Sequence, residues 1–281
     1  MSIVIVSDSG CDLTPDEASR AGIEIVPMYV IFGAERLRDG IDIDRARFFT
    51  RLAREQPQTE PPSVEDYHRV FVRSIGAGRN VICMTMSSGL SKSYENARAA
   101  ASGLDANIRV IDSFGASGLE VLIALYAAEL AAAGATMEEI AARVDPKELK
   151  RATYFAVPDV TSLGRSGRMP KALVALGSML GVSLVLKMND AGVIGPAGQS
   201  RSFDKTCEIM VAALVRSIGR APSARFAVSH VQAASVAAVV AKRIEAELGF
   251  PPAFISIHDA TLTVATHMGA GAVGIFAIDP E

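Results

Sequence analysis

Several kinds of residue and pattern that mark common functions are missing from this sequence. No tryptophan occurs in the 281 residues and aromatics are sparse at 6%, while a formal net charge of −3 is spread over mixed acids and bases. That balance argues against a nucleic-acid surface. Cysteine is scarce: Cys11, Cys83 and Cys207 are odd in number and far apart, which fits neither a metal-ligand spacing nor a disulfide framework. Reduced thiols are expected. Almost half the residues are apolar, at 49%, but no uninterrupted run approaches the ~20 residues of a membrane span. The opening Met1-Ser2-Ile3-Val4 lacks the basic stretch and apolar core of a secretory signal, so a soluble, cytoplasmic protein without stable membrane insertion is expected.

Chemical motifs are equally thin. There is no G-x-S-x-G nucleophile elbow, and His68, His230, His258 and His267 show no H-E-x-x-H spacing. Gly269, Gly271 and Gly274 spell G-x-G-x-x-G, but a dinucleotide fingerprint opens a helix within a unit of about 30 residues. Here Val273 to Ile278 follows at once and the sequence stops at Glu281. Neither a metal nor a bound cofactor is expected.

What is present is alternation. Ile3 to Val6 is a continuous apolar run of the kind buried on both faces of a parallel sheet. It ends in Ser7-Asp8-Ser9-Gly10, and Thr14-Pro15-Asp16-Glu17 then supplies a helix cap, a proline at the first helical position and a glutamate three residues after the cap. Ile23 to Phe32 reads as a strand region broken by Pro27, and Asp44 to Glu55 as a helix. The prolines of 57–62 exclude helix there. Ser63 restarts one.

The stretch from Asn80 to Ala101 carries the clearest functional signal. Val81 to Met86 is β-leaning, Ser87-Ser88-Gly89-Leu90-Ser91 breaks it, and Lys92 to Ala101 has helical composition. A strand, hydroxyl-rich turn and helix start aim backbone N–H groups and a dipole at one point, which suits a carboxylate or phosphate. The same serines also fit simple capping and turn closure. Ile108 to Ile111 is a further strand ending in Asp112-Ser113. Leu119, Leu122, Ile123, Tyr126 and Leu130 then fall at the spacing of an amphipathic helix with one apolar face, and Thr136 caps the next. Strands alternating with helices predict a parallel sheet with ligands beyond its strand carboxyl ends, three of which bear Ser/Asp clusters.

Near Asp145 to Arg151 the pattern changes, predicting an N-terminal α/β domain over 1–150 and a C-terminal α/β domain over 151–281. In the second part, strands are expected at 153–157, 182–188, 226–228 and 254–257, with helices at 203–218 and 233–248. Asn189-Asp190-Ala191-Gly192 has the chemistry of a hairpin turn. Thr161 to Pro170 holds two glycines and two arginines in a small compass.

Taken together, Thr59-Glu60-Pro61-Pro62-Ser63, Ser87 to Tyr94, Leu163-Gly164-Arg165-Ser166-Gly167-Arg168-Met169, the Arg201 segment and His267 to Gly271 resemble the ordered motifs of the DegV family of bacterial fatty-acid-binding proteins. Each motif alone is weak; the five in order span essentially the whole chain. The resemblance implies two α/β domains, the first with a mainly parallel sheet. One long-chain fatty acid would lie in a buried tunnel between them, its carboxylate held by hydroxyls of the first. It also implies a non-catalytic protein whose bound acid is presented to a separate ATP-dependent fatty acid kinase.

By the same resemblance, Thr59 and Ser88 would contact the carboxylate, with Ser87 and Ser91 either joining them or only shaping the turn. Arg168, Arg201 and His267 would lie near the head group or face the kinase. Alone, the two arginines also fit solvated surface charges, and His267 fits a satisfied structural histidine. Lys92 stands where the family commonly has glycine, Pro61 where it has glutamine, and Met268 and Ala270 where threonine and proline are frequent. These departures bear on ligand choice more than on fold. A stand-alone phosphoryl- or acyl-transfer enzyme and a binder of another small anion remain the alternatives, the first disfavoured by the missing nucleotide loop.

Overall fold

The opening apolar run forms the strand around which the first half is laid down. In the computed structural model, which describes residues 2–104, 107–159, 161–165, 167–168 and 181–281, the chain divides into two units. One comprises Met1–Glu148 with Thr261–Thr263, and the other Leu149–Ala260 with Val264–Glu281.

In the first unit β1 (Ile3–Asp8) leads to α1 (Pro15–Ala21), whose Thr14/Glu17 capping box closes its start and whose end is left-handed Gly22. β2 (Ile23–Val26) and β3 (Tyr29–Phe32) are separated around Pro27, β4 is Glu35–Arg38, and α2 (Arg45–Leu52) is capped by Asp44. The proline-flanked segment is extended, as β5 (Gln58–Glu60), before α3 (Val64–Gly76), β6 (Asn80–Thr85), α4 (Ser93–Ser102) and β7 (Ile108–Asp112). α5 (Gly118–Ala132) and α6 (Met137–Arg143) complete the run.

β2-β1-β6-β7 make a parallel sheet, and β4-β3-β5 a small antiparallel one. On one face of the parallel sheet Val4, Val6, Val81 and Cys83 form a core with Tyr67, Val70 and Phe71 of α3 and Ala97 and Ala100 of α4. The expectation of a single apolar face for α5 is corrected. Gly118 to Ala124, Tyr126 and Ala127 are all buried, so the helix is enclosed on most sides rather than amphipathic.

The second unit begins with β8 (Lys150–Val157) and the short α7 (Thr161–Arg165), followed by β9 (Ser183–Met188) and β10 (Ile194–Ser200). Asn189 closes the β9/β10 hairpin, its Oδ1 accepting the N–H groups of Ala191 and Val193. Then come α8 (Phe203–Ile218), β11 (Arg225–His230), α9 (Ala234–Leu248), β12 (Phe254–Asp259), α10 (Leu262–Met268), whose first two residues are counted with the first unit, and β13 (Val273–Asp279). The sheet order is β10-β9-β8-β13-β11-β12, with only β11 and β12 parallel. Every residue of β13 is buried, as its place between β8 and β11 requires. Met210, Leu214, Ile218, Val240 and Ile244 of α8 and α9 cover Phe226, Val228 and Ile275 of this sheet.

Candidate functional site

The parallel order sets the carboxyl ends of β1, β6 and β7 side by side, and β1 has its sequence neighbour β2 on one flank and β6 on the other. Such a reversal of strand order opens a crevice at the strand ends. Asp8, at the end of β1, accepts the N–H groups of Gly10 (2.8 Å) and Met86 (2.9 Å), so it anchors the start of the serine turn.

Within that turn the Ser87 hydroxyl accepts the Gly89 N–H at 3.1 Å, and the Ser91 hydroxyl accepts the Ser93 N–H at 3.2 Å. Ser87 and Ser91 therefore do close the turn. Ser88 is different: its N–H is taken by both oxygens of Asp112 at 3.2 Å, while its hydroxyl plays no part in turn closure among the described residues. A chain carboxylate thus meets one of the N–H groups that sequence reasoning offered to a ligand. Lys92 is exposed and occupies the N-cap of α4 without a side-chain cap bond. Thr59 stands on the other sheet of the same unit, in β5 opposite Val30. The segment after it is tied to α4 by the Asn96 amide, which donates to the Pro62 carbonyl at 2.8 Å.

In the second unit His267 lies one residue before the end of α10. Burial, aided by the Arg168 charge, pulls its pKa down to about 3, so at neutral pH it is an uncharged imidazole. Arg168, half-buried, is itself lowered by desolvation. These two residues are brought together. Gly269 and Gly271 follow with φ of 76° and 84°, and a Cβ on either would meet Ser162 Oγ or Pro158 Cγ at 3.1 Å. The close turn needs glycine at both places. Arg201 is exposed between β10 and α8. Ser166, Met169 and Pro170 of the arginine-bearing stretch lie outside the described residues.

Sequence reasoning missed three acids of the first unit. Asp12 accepts the Thr261 N–H at 2.9 Å and also bonds Ser117, while Asp39 accepts the Leu262 and Thr263 N–H groups. Glu120 is fully buried in α5. Only Glu120 had a sequence signal, as one of two charges in the apolar run 118–132.

Fold and loop chemistry define a two-unit α/β protein, with hydroxyls at the strand ends of one unit and an arginine beside a neutral histidine in the other. The chain belongs to the DegV family, described as uncharacterised, whose model matches residues 2–279. It is 31% identical over 279 residues to a DegV domain-containing protein of Mycobacterium tuberculosis, covering 98% of this chain and 96% of the relative. Among solved structures, a DegV family protein from Thermus thermophilus, described for its fatty acid binding, is 27% identical with a TM-score of 0.91, covering 99% of this chain and 100% of that one. A stearic-acid-binding protein from Eubacterium ventriosum is 28% identical with a TM-score of 0.89, covering 98% of each.

Proposed function

We propose that this protein binds one long-chain fatty acid in the cytoplasm and presents its carboxylate to a partner ATP-dependent kinase, without catalytic activity of its own. The observation that carries the reading is the end-to-end similarity to the Thermus and Eubacterium structures, both described as binding fatty acids. The physical demands fit. Each buried methylene contributes roughly 0.8 kcal/mol, so the acyl chain supplies most of the affinity once binding costs are met. The carboxylate is the costly part and needs donors, preferably with a cation near. In this reading Thr59 and Ser88 donate to it, Ser87 and Ser91 hold the turn or join them, and Arg168, Arg201 and His267 lie near it or meet the kinase. A neutral His267 serves as a hydrogen-bonding group, leaving the positive charge to arginine.

Native mass spectrometry of the protein purified from bacteria tests the reading. A mixture of retained long-chain acids is expected. Protein free of lipid that also fails to take up added stearate would overturn it, and ATP turnover by the purified chain alone would favour an enzyme.

A further inference from the structure

Beneath the serine turn two carboxyl groups meet in the interior of the first unit. Asp8 and Glu120 are both completely buried. Asp8 is well supplied with donors. Its Oδ1 takes the Gly10 N–H, its Oδ2 takes the Met86 N–H and the Tyr67 hydroxyl at 3.2 Å, and Ser93 adds a side-chain bond. Glu120 has one such donor, the Ser7 hydroxyl at 2.7 Å on Oε1. Among the described residues its Oε2 meets no donor. That atom and Asp8 Oδ1 lie 3.0 and 2.7 Å from the point where a Cβ on Gly10 would stand, so glycine there lets the two carboxyls face each other.

Two adjacent carboxylates cannot both stay charged when buried with no cation. Among the described residues the titratable groups acting on this pair include Asp12, Tyr67, Cys11 and Cys83, all of which become anionic when they ionise. A proton on Glu120 Oε2, donated to Asp8 Oδ1, removes one charge and gives the orphaned oxygen its partner. Asp8, with four other donors, keeps the negative charge.

We infer that Asp8 and Glu120 form a single-proton acid–carboxylate pair that positions the serine turn for a ligand carboxylate. Asp8 holds the residue before the turn, Met86, and Ser93, two residues past its end, and so sets the span of Ser87–Ser91. As a charged acceptor it also commits the Ser93 proton inward. Ser93 Oγ, 3.0 Å from Ser91 Oγ, can then only accept, and the Ser91 proton is free to turn from Ser93 to an arriving carboxylate. Both acids are positioning residues. The ligand part of the inference rests on the fatty-acid reading above.

Infrared spectroscopy of the full chain at neutral pH, with and without stearate, separates the two. A protonated-carboxyl band is expected in the lipid-free protein, absent from Glu120→Gln, and it should shift when stearate binds. Glu120→Ala and Asp8→Asn should each weaken stearate binding by about tenfold, the effect of one charged hydrogen bond, with Glu120→Gln recovering most of the loss because its amide still donates to Asp8. The inference fails if the band is missing, or if stearate binds the wild type without moving it. It fails as well if Glu120→Gln binds no better than Glu120→Ala. Failure of stearate to bind the wild type would instead overturn the fatty-acid reading, while the band still reports the shared proton. Should Asp8→Asn not fold, the band and the Gln/Ala comparison decide alone.

Discussion

Asp39 accepts the backbone N–H of Leu262 at 3.1 Å and of Thr263 at 2.8 Å, spanning more than two hundred residues of sequence to cap the start of α10. The carboxylate satisfies N–H groups that a helix cannot satisfy within itself. It also holds Thr261–Thr263 in the first unit, with Asp12 bonding the Thr261 N–H beside it.

Burial raises the Asp39 pKa from 3.8 to about 6, against the opposing pull of its bonds to Thr263 and Leu262. An acid with a raised folded-state pKa binds more protons folded than unfolded, so its contribution is fully present below about pH 4 and is lost as pH rises through about 6. Asp39→Asn removes that titrating group. Urea unfolding of both proteins across this window should show the wild type losing up to about 3 kcal/mol relative to the variant. Parallel stability curves would refute the assignment.

Ser88→Ala should lower fatty acid affinity while leaving thermal unfolding close to that of the wild type. The turn is held at this residue by the backbone N–H to Asp112, which alanine keeps. One hydrogen bond to a charged group is worth ~1.5 to 3 kcal/mol, so a loss of roughly tenfold or more is expected in a stearate titration. Unchanged affinity would remove Ser88 from the head-group site.

His267 should show no titration between about pH 5 and pH 8 in imidazole NMR spectra, since desolvation and the Arg168 charge both disfavour its cation. Because the folded pKa is depressed, this residue's contribution to stability is lost as pH falls from the unfolded value near 6.5 towards 3. Arg168→Ala removes one of the two causes and should raise the His267 pKa without restoring it fully. An imidazole that titrates normally in the wild type would contradict the burial described here.

The same Arg168→Ala protein separates carrying from presenting. The methylenes supply most of the affinity, so acyl-chain binding should fall by at most about tenfold. Acyl phosphate formation with kinase and ATP should be abolished, because a guanidinium near the developing charge acts where that charge appears. Phosphorylation at an undiminished rate would return Arg168 to the role of a structural charge.

Much of the secondary structure is legible in one dimension because its determinants are local. The apolar run at Ile3–Val6, the Thr14/Glu17, Ser63/Asp66 and Thr136/Glu139 caps and the Asn189 hairpin each act over a few residues, and each forms where the pattern places it. β4 and α10 carry weaker local signals: Glu35–Arg38 is a charged strand stabilised by pairing with β3, and the start of α10 is capped by a side chain remote in sequence.

The serine motif was legible, and so was the alternative that its serines close a turn: Ser87 and Ser91 bond within the turn, while the Ser88 N–H goes to Asp112. What tertiary structure alone decided is protonation and remote pairing. Asp8 and Glu120 are 112 positions apart, and nothing in their neighbours says that they face one another across Gly10. His267 reads as an ordinary histidine until burial beside Arg168 makes it neutral. Helix caps and strand periodicity follow from near neighbours, whereas a pKa depends on the solvent excluded and the charges brought close by packing, and that information exists only once the chain has folded.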